Sequence, residues 1–167
     1  MVTWLLNHGA NPNSRCDWDL TPASMAMFKA PIETINYLFQ RGADPLYGEL
    51  LQWAVIRNEP DGLDVVRQIV EKGVPIDEIK YANDPASYYW RKPFGLGTPL
   101  HRAADGGKVD IVKYLLERGA NPLKLDSKGK TPRFWAEQKY AQTMAGKSGR
   151  AEELVQILKE AEERSCA

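Results

Sequence analysis

The chain has 167 residues, 43% of them hydrophobic, which suits one modest globular domain with a continuous core. Lys plus Arg and Asp plus Glu each number 22, so the formal net charge is zero and no long-range field favours nucleic acid or an anionic membrane. Two cysteines near opposite ends, Cys16 and Cys166, make neither a disulfide framework nor a metal-ligand spacing, and no apolar run reaches the roughly 20 residues of a membrane span.

Met1 leads into helical sequence without a charged n-region or cleavage site, so the expectation is an intracellular protein, cytoplasmic or nuclear, with no cofactor and no metal. The first predicted helix, 1–8, carries Val2, Trp4, Leu5 and Leu6 and ends at Gly9. No partner helix precedes it, so 1–12 reads as half of a unit. Thr21-Pro22 then opens a full unit, 13–45, with helices over 22–29 and 32–41 and an apolar face of Ile32, Ile35, Leu38 and Phe39. A threonine cap followed by proline is a strong helix start, because proline's missing N–H would be unpaired there anyway.

The third unit, 46–77, with helices over 50–57 and 61–72, departs from this form. "GELLQWAV" at 48–55 stands where "GTPLHRAA" stands at 97–104, so the Thr-Pro start is missing while Leu51 and Ala54 keep a buried face. Between Gly73 and Thr98 lie 25 positions where 12 are expected, which makes 78–95 an insertion. It holds Tyr81, Tyr88, Tyr89, Trp90 and Phe94, and Pro85 and Pro93 argue against a long helix there. Either these rings fold back to fill the space left by the shortened third unit, or they recognise a partner.

The fourth unit, 96–122, is the most regular: helices are predicted over 99–105 and 109–118. A last unit, 123–163, follows with helices over 132–144 and 150–164, then a tail, 164–167. Thr98-Pro99 and Thr131-Pro132 are 33 residues apart, and both Thr21 to Gly42 and Thr98 to Gly119 span 21 positions. A fixed period of this length marks stacked units that each bury a face on the next.

"TPLHRAADGGKVDIVKYLLERGANP" at 98–122, with its weaker copies, resembles the ankyrin repeat family. The resemblance implies an all-α solenoid of helix-turn-helix units joined by β-hairpin-like turns, forming a single domain over 1–163. It also implies a non-catalytic protein-interaction module that binds a protein partner through turn tips and the exposed side of each first helix. Carried over by position, the contact residues are Asp17, Trp18, Phe28, Lys29, Ile56, Arg57, Phe94, Asp105, Ser127, Lys128, Lys130 and Gln138, and the insertion adds Tyr88, Tyr89 and Trp90. Aromatic and basic residues are common interface anchors. The charged last helix suits a terminal cap that meets water.

Other patterns are weaker. "AQTMAGKS" at 141–148 imitates a phosphate-binding loop, but a helix rather than a strand precedes it and the first glycine is missing, so it reads as a turn. His101 has no nucleophile partner in the sequence and is expected to hydrogen-bond Thr98 and nearby backbone. Lys124, Lys128, Lys130 and Arg133 form either a solvated turn tip or a surface for an acidic patch. Three alternatives stay open: an enzyme or small-molecule binder with a pocket beside 81–94, a fragment of a longer protein, and weak self-association through the bare face of the first helix.

Overall fold

The computed structural model describes residues 1–142 and 149–166, apart from the side chains of Asp17 and Gln142. The described α-helices are α1 (Val2–Asn7), α2 (Pro22–Lys29), α3 (Ile32–Gln40), α4 (Leu50–Ala54), α5 (Gly62–Glu71), α6 (Pro85–Arg91), α7 (Pro99–Asp105), α8 (Val109–Glu117), α9 (Pro132–Gln142) and α10 (Gly149–Cys166). No strand occurs among the described residues; one isolated antiparallel bridge joins Cys16 and Leu20. The fold is all-α.

Helix starts follow capping chemistry. At α2 the Ser24 N–H donates to Thr21 Oγ1 at 3.1 Å while the Thr21 N–H donates to Ser24 Oγ at 3.0 Å, and Pro22 takes the first helical position. The same reciprocal arrangement opens α7, with Thr98, Pro99 and His101 in the corresponding places. α6 was not among the predicted helices. Asp84 caps it by accepting from the Ser87 N–H at 3.3 Å, and Pro85 occupies its first position, so the proline that argues against a long helix here starts a short one of seven residues. α4 ends at Ala54, three residues short of expectation. It starts from Glu49 in a left-handed conformation (φ 51°) instead of from a Thr-Pro cap, and Arg57 beyond its end turns into the protein.

The chain divides into two compact units, Met1–Pro75 and Ile76–Ala167. In the first, α2 packs on α3 and α4, and α4 on α5. Ala23, Ala26, Met27, Ile35, Leu38, Leu50, Ala54, Val65, Val66 and Ile69 are buried there. Small alanines on α2 and α4 allow the close approach that stacking requires. Asn13 acts as a rung between successive turns: its amide donates to the Gly42 carbonyl at 2.8 Å and its oxygen accepts from the Asp44 N–H at 2.7 Å.

In the second unit α7 packs on α8 and α9, and α10 on α8 and α9, over a core of Leu100, Ala103, Val112, Leu115, Ala136, Leu154 and Leu158. Asp77 supplies the corresponding rung, its carboxylate accepting from the Asn121 N–H at 3.0 and 3.1 Å. Asn13 and Asp77 each lie four residues after a turn glycine, Gly9 and Gly73. Ion pairs hold α10 in place: Lys113 of α8 to Glu153 at 2.7 Å, and Arg133 of α9 to Glu162 at 2.7 Å.

Candidate interaction surface

The second unit builds its surface around a buried polar hub. The Thr98 N–H donates to His101 Nδ1 at 3.1 Å, and the Thr98 hydroxyl lies 2.9 Å from the same nitrogen. Nδ1 therefore accepts, the ring proton sits on Nε2, and Nε2 donates to the Lys130 carbonyl at 3.0 Å. The ring meets Trp135 edge-on at 5.3 Å. Burial holds the His101 pKa below its ordinary 6.5, against the opposing influence of the Lys130 carbonyl and the Asp126 and Asp77 carboxylates.

Asp126 shapes the turn that Lys130 closes. Its Oδ1 accepts from the Lys128 and Lys130 N–H groups at 2.7 and 2.8 Å, and its Oδ2 accepts from the Trp135 indole at 2.8 Å. The next residue clasps this turn to the end of the insertion. Ser127 Oγ donates to the Lys92 carbonyl at 2.9 Å and accepts from the Leu96 N–H at 2.8 Å, and the Ser127 N–H donates to the Leu96 carbonyl at 2.9 Å. The Lys128 stem, the Trp135 ring and the Asp126 carboxylate consequently all lie close to Gly95.

The insertion is divided in its behaviour. Tyr81 is buried and Tyr88 is half-buried, whereas Tyr89, Trp90 and Phe94 are 75%, 74% and 79% exposed. Tyr89 and Trp90 meet edge-on at 5.9 Å. The exposed rings do not fold back. Asp105, Lys128, Lys130 and Gln138 are also exposed, with the Lys130 ammonium 4.5 Å over the Phe134 ring.

In the first unit, Trp18 stands exposed at the tip of the turn closed by the Cys16–Leu20 bridge, in a left-handed conformation (φ 69°). The Asp17 side chain lies outside the described ones. Phe28 is half-buried edge-on to Trp53 at 6.1 Å, Lys29 is exposed with its ammonium 5.3 Å over Phe28, and Ile56 is half-buried. Arg57 requires a correction, because it is only 2% exposed and presents no guanidinium to a partner. Its Nε and Nη2 donate to Asp61 at 2.6 and 2.9 Å, its Nη1 to the Met27 carbonyl at 3.3 Å. Ser127 is likewise occupied within the fold. Leu46, Tyr47 and Leu125 are exposed apolar residues that the carried-over positions missed.

Among the described residues of the second unit, grooves open beside α8 and beside α9. One of about 660 Å³ lies between the end of α8, the following turn and α10, and one of about 240 Å³ lies beside Asp105, Lys139 and Arg150. Neither is lined by a residue of 81–94. Among the described residues no three His, Cys, Asp or Glu side chains gather as a metal site, and no helix is long and apolar enough to cross a membrane. Most of the 141–148 motif, Thr143 to Ser148, lies outside the described residues.

Paired helices, Thr-Pro starts and cross-turn rungs define a stacked helical repeat. Residues 97–127 match the family model of the ankyrin repeat, and the chain is an ankyrin-repeat protein. Repeats of this kind make protein–protein interaction modules. Over 130 residues the chain is 30% identical to alpha-latrocrustotoxin-Lt1a of Latrodectus tredecimguttatus, covering 72% of this chain and 8% of the toxin. It is 32% identical over 109 residues to the 2-5A-dependent ribonuclease of Mus musculus, covering 60% of the chain and 13% of that enzyme. With the mitochondrial disaggregase of Bos taurus it shares 28% identity over 163 residues, 98% of the chain and 23% of the relative. The chain thus matches under a quarter of each relative's length.

Proposed function

We propose that this chain is a non-catalytic interaction module, set inside the cell, that binds a protein through exposed turn-tip and first-helix side chains, with the rings of α6 and Phe94 carrying much of the specificity. One observation carries this reading: Tyr89, Trp90 and Phe94 are about three-quarters exposed on a segment whose backbone is capped at Asp84 and clasped at Ser127. Large rings held rigidly in water are a poor use of apolar surface unless a partner covers them, and they anchor interfaces at small entropic cost. The three relatives bear names of unrelated activities, and what they share with this chain is the repeat. The two grooves described above are lined by residues outside 81–94, so neither lends support to a small-molecule pocket there.

The test is the combined variant Tyr88→Ala, Tyr89→Ala, Trp90→Ala. Its thermal unfolding should stay within a few degrees of the parent while capture of the partner, identified by mass spectrometry on the parent chain, is lost. A large fall in melting temperature with capture retained would show that the rings pack and would overturn the reading.

A further inference from the structure

Resting on that reading, the surface also says what kind of partner fits it. We infer that Tyr89, Trp90 and Phe94, together with Lys92 and Lys128, form a docking site for a short acidic segment of a protein that presents an apolar side chain among its carboxylates.

Local charge favours this occupant. Between 84 and 94 and between 124 and 130 the chain carries Arg91, Lys92, Lys124, Lys128 and Lys130 against only Asp84 and Asp126. Both acids are engaged within the fold: Asp84 caps α6, and the buried Asp126 accepts from two turn amides and the Trp135 indole. Cationic groups are thus the dominant charge of these two segments, within a chain of zero net charge. The Ser127 clasp ties the turn that carries Lys128 to the Lys92 carbonyl and to Leu96, and the Lys128 stem reaches Gly95, so the end of the insertion and the lysine-bearing turn are held together.

Size favours a linear segment over a globular face. Three rings at this exposure offer on the order of 400 Å² of apolar surface, about half of what one side of a standard protein interface buries. An alternating acidic and apolar peptide matches both components, the carboxylates meeting lysines at the rim and the side chain covering rings at the centre. Single-stranded nucleic acid fits less well, because it needs a basic groove that tracks the backbone and ring faces open for stacking, whereas Tyr89 and Trp90 stand edge to face at 81°.

The experiment is an NMR titration of the ¹⁵N-labelled chain with a 12-residue peptide alternating Glu and Leu, beside versions with Gln or Lys in place of Glu, and with a uridine 12-mer RNA. The Glu peptide should shift amides of 88–96 and 127–130 and bind about tenfold more tightly than the Gln peptide, the scale expected of two close charge contacts. Lys128→Glu and Trp90→Ala should each weaken it about fivefold or more, while Lys159→Glu on the outer face of α10, an equal change in net charge, leaves it unaltered. Equal affinity for the Glu and Gln peptides, equal weakening by Lys159→Glu, or tighter binding of the RNA would each overturn the proposal. If the peptide fails but the triple alanine variant still loses its captured partner, the acidic chemistry falls and the contact reading stands; if neither effect is seen, both fall.

Discussion

Ser24 and His101 hold the same place, three residues after the capping threonine, and do the same job with different chemistry. Ser24 Oγ accepts from the Thr21 N–H and donates to the Gly48 carbonyl at 2.6 Å; His101 accepts from the Thr98 N–H and donates to the Lys130 carbonyl. Each ties a helix start to the next turn. The histidine's role was legible in "TPLH", but the serine's was not, because an alcohol and an imidazole share no sequence signal beyond their position. The choice has a consequence for pH. Folding lowers the His101 pKa from 6.5, so the unfolded chain binds more protons in the acid range and the contribution to stability, full above pH 6.5, is lost as pH falls through the folded value. Protonation would also turn Nδ1 toward another donor. Urea unfolding of the parent should therefore weaken from pH 7.5 to 5.5, and His101→Ala, which orphans the Thr98 N–H and the Lys130 carbonyl, should lose about 3 kcal/mol at pH 7.5 and flatten that acid slope. At the serine hub the tight approach of Gly48 (φ 79°) is the vulnerable point, since a methyl there would overlap Ser24 Oγ and Thr21 Oγ1. Gly48→Ala is expected to cost about 3 kcal/mol, against about 1 kcal/mol for Gly119→Ala, where the backbone is equally left-handed but nothing lies nearby.

Helices with Thr-Pro starts begin where the sequence predicts, at Pro22, Pro99 and Pro132, because cap, proline and 3.6-residue apolar spacing all agree there. The two departures share a cause, which is that each local signal pointed two ways. Asp84-Pro85 has the same grammar as Thr98-Pro99, yet the prolines of an aromatic, non-repeating stretch argue only against a long helix, and no apolar periodicity stands behind Pro85 to mark the short one it starts. Exposed rings leave no such periodicity. Asp84→Ala is thus expected to unwind α6, seen as loss of helical ¹³C shifts over 85–91 with the global unfolding transition unchanged, and to weaken partner capture nearly as much as removing the rings. Arg57 misled in the opposite direction, since its position in the repeat marks a surface but the early end of α4 swings it inward. Holding Asp61 and the Met27 carbonyl from a buried site, it works as a strut between α2, the end of α4 and the start of α5. The Asp61 pKa is depressed chiefly by the hydrogen bond from Arg57, so this strut is intact above pH 3.8 and loosens below it. Arg57→Ala should cost about 3 kcal/mol, whereas Lys29→Ala, exposed on the neighbouring helix, should change stability by less than about 0.5 kcal/mol in the same denaturation assay.

Across the whole molecule one register position is treated in two ways. Val2, Trp4 and Leu5 of α1 correspond to Val112, Tyr114 and Leu115 of α8 when Gly9 is set on Gly119. Tyr114 and Leu115 are 6% and 0% exposed beneath their neighbours, whereas Trp4 and Leu5 are 61% and 43% exposed. The face that α8 buries is largely exposed on α1, where the His8 ring stacks on Trp4 at 4.0 Å. Zero net charge removes the repulsion that would keep two such faces apart at long range. A second copy is a ready cover, but a helix of six residues presents far less surface than a standard interface, so the association should be weak, on the order of 100 µM. Sedimentation velocity between 10 and 500 µM, roughly bracketing that value, should show a concentration-dependent rise in the weight-average coefficient, and Trp4→Glu should abolish it without lowering the unfolding transition. A single monomeric boundary for the parent chain throughout that range would show that the bare face is tolerated as it is.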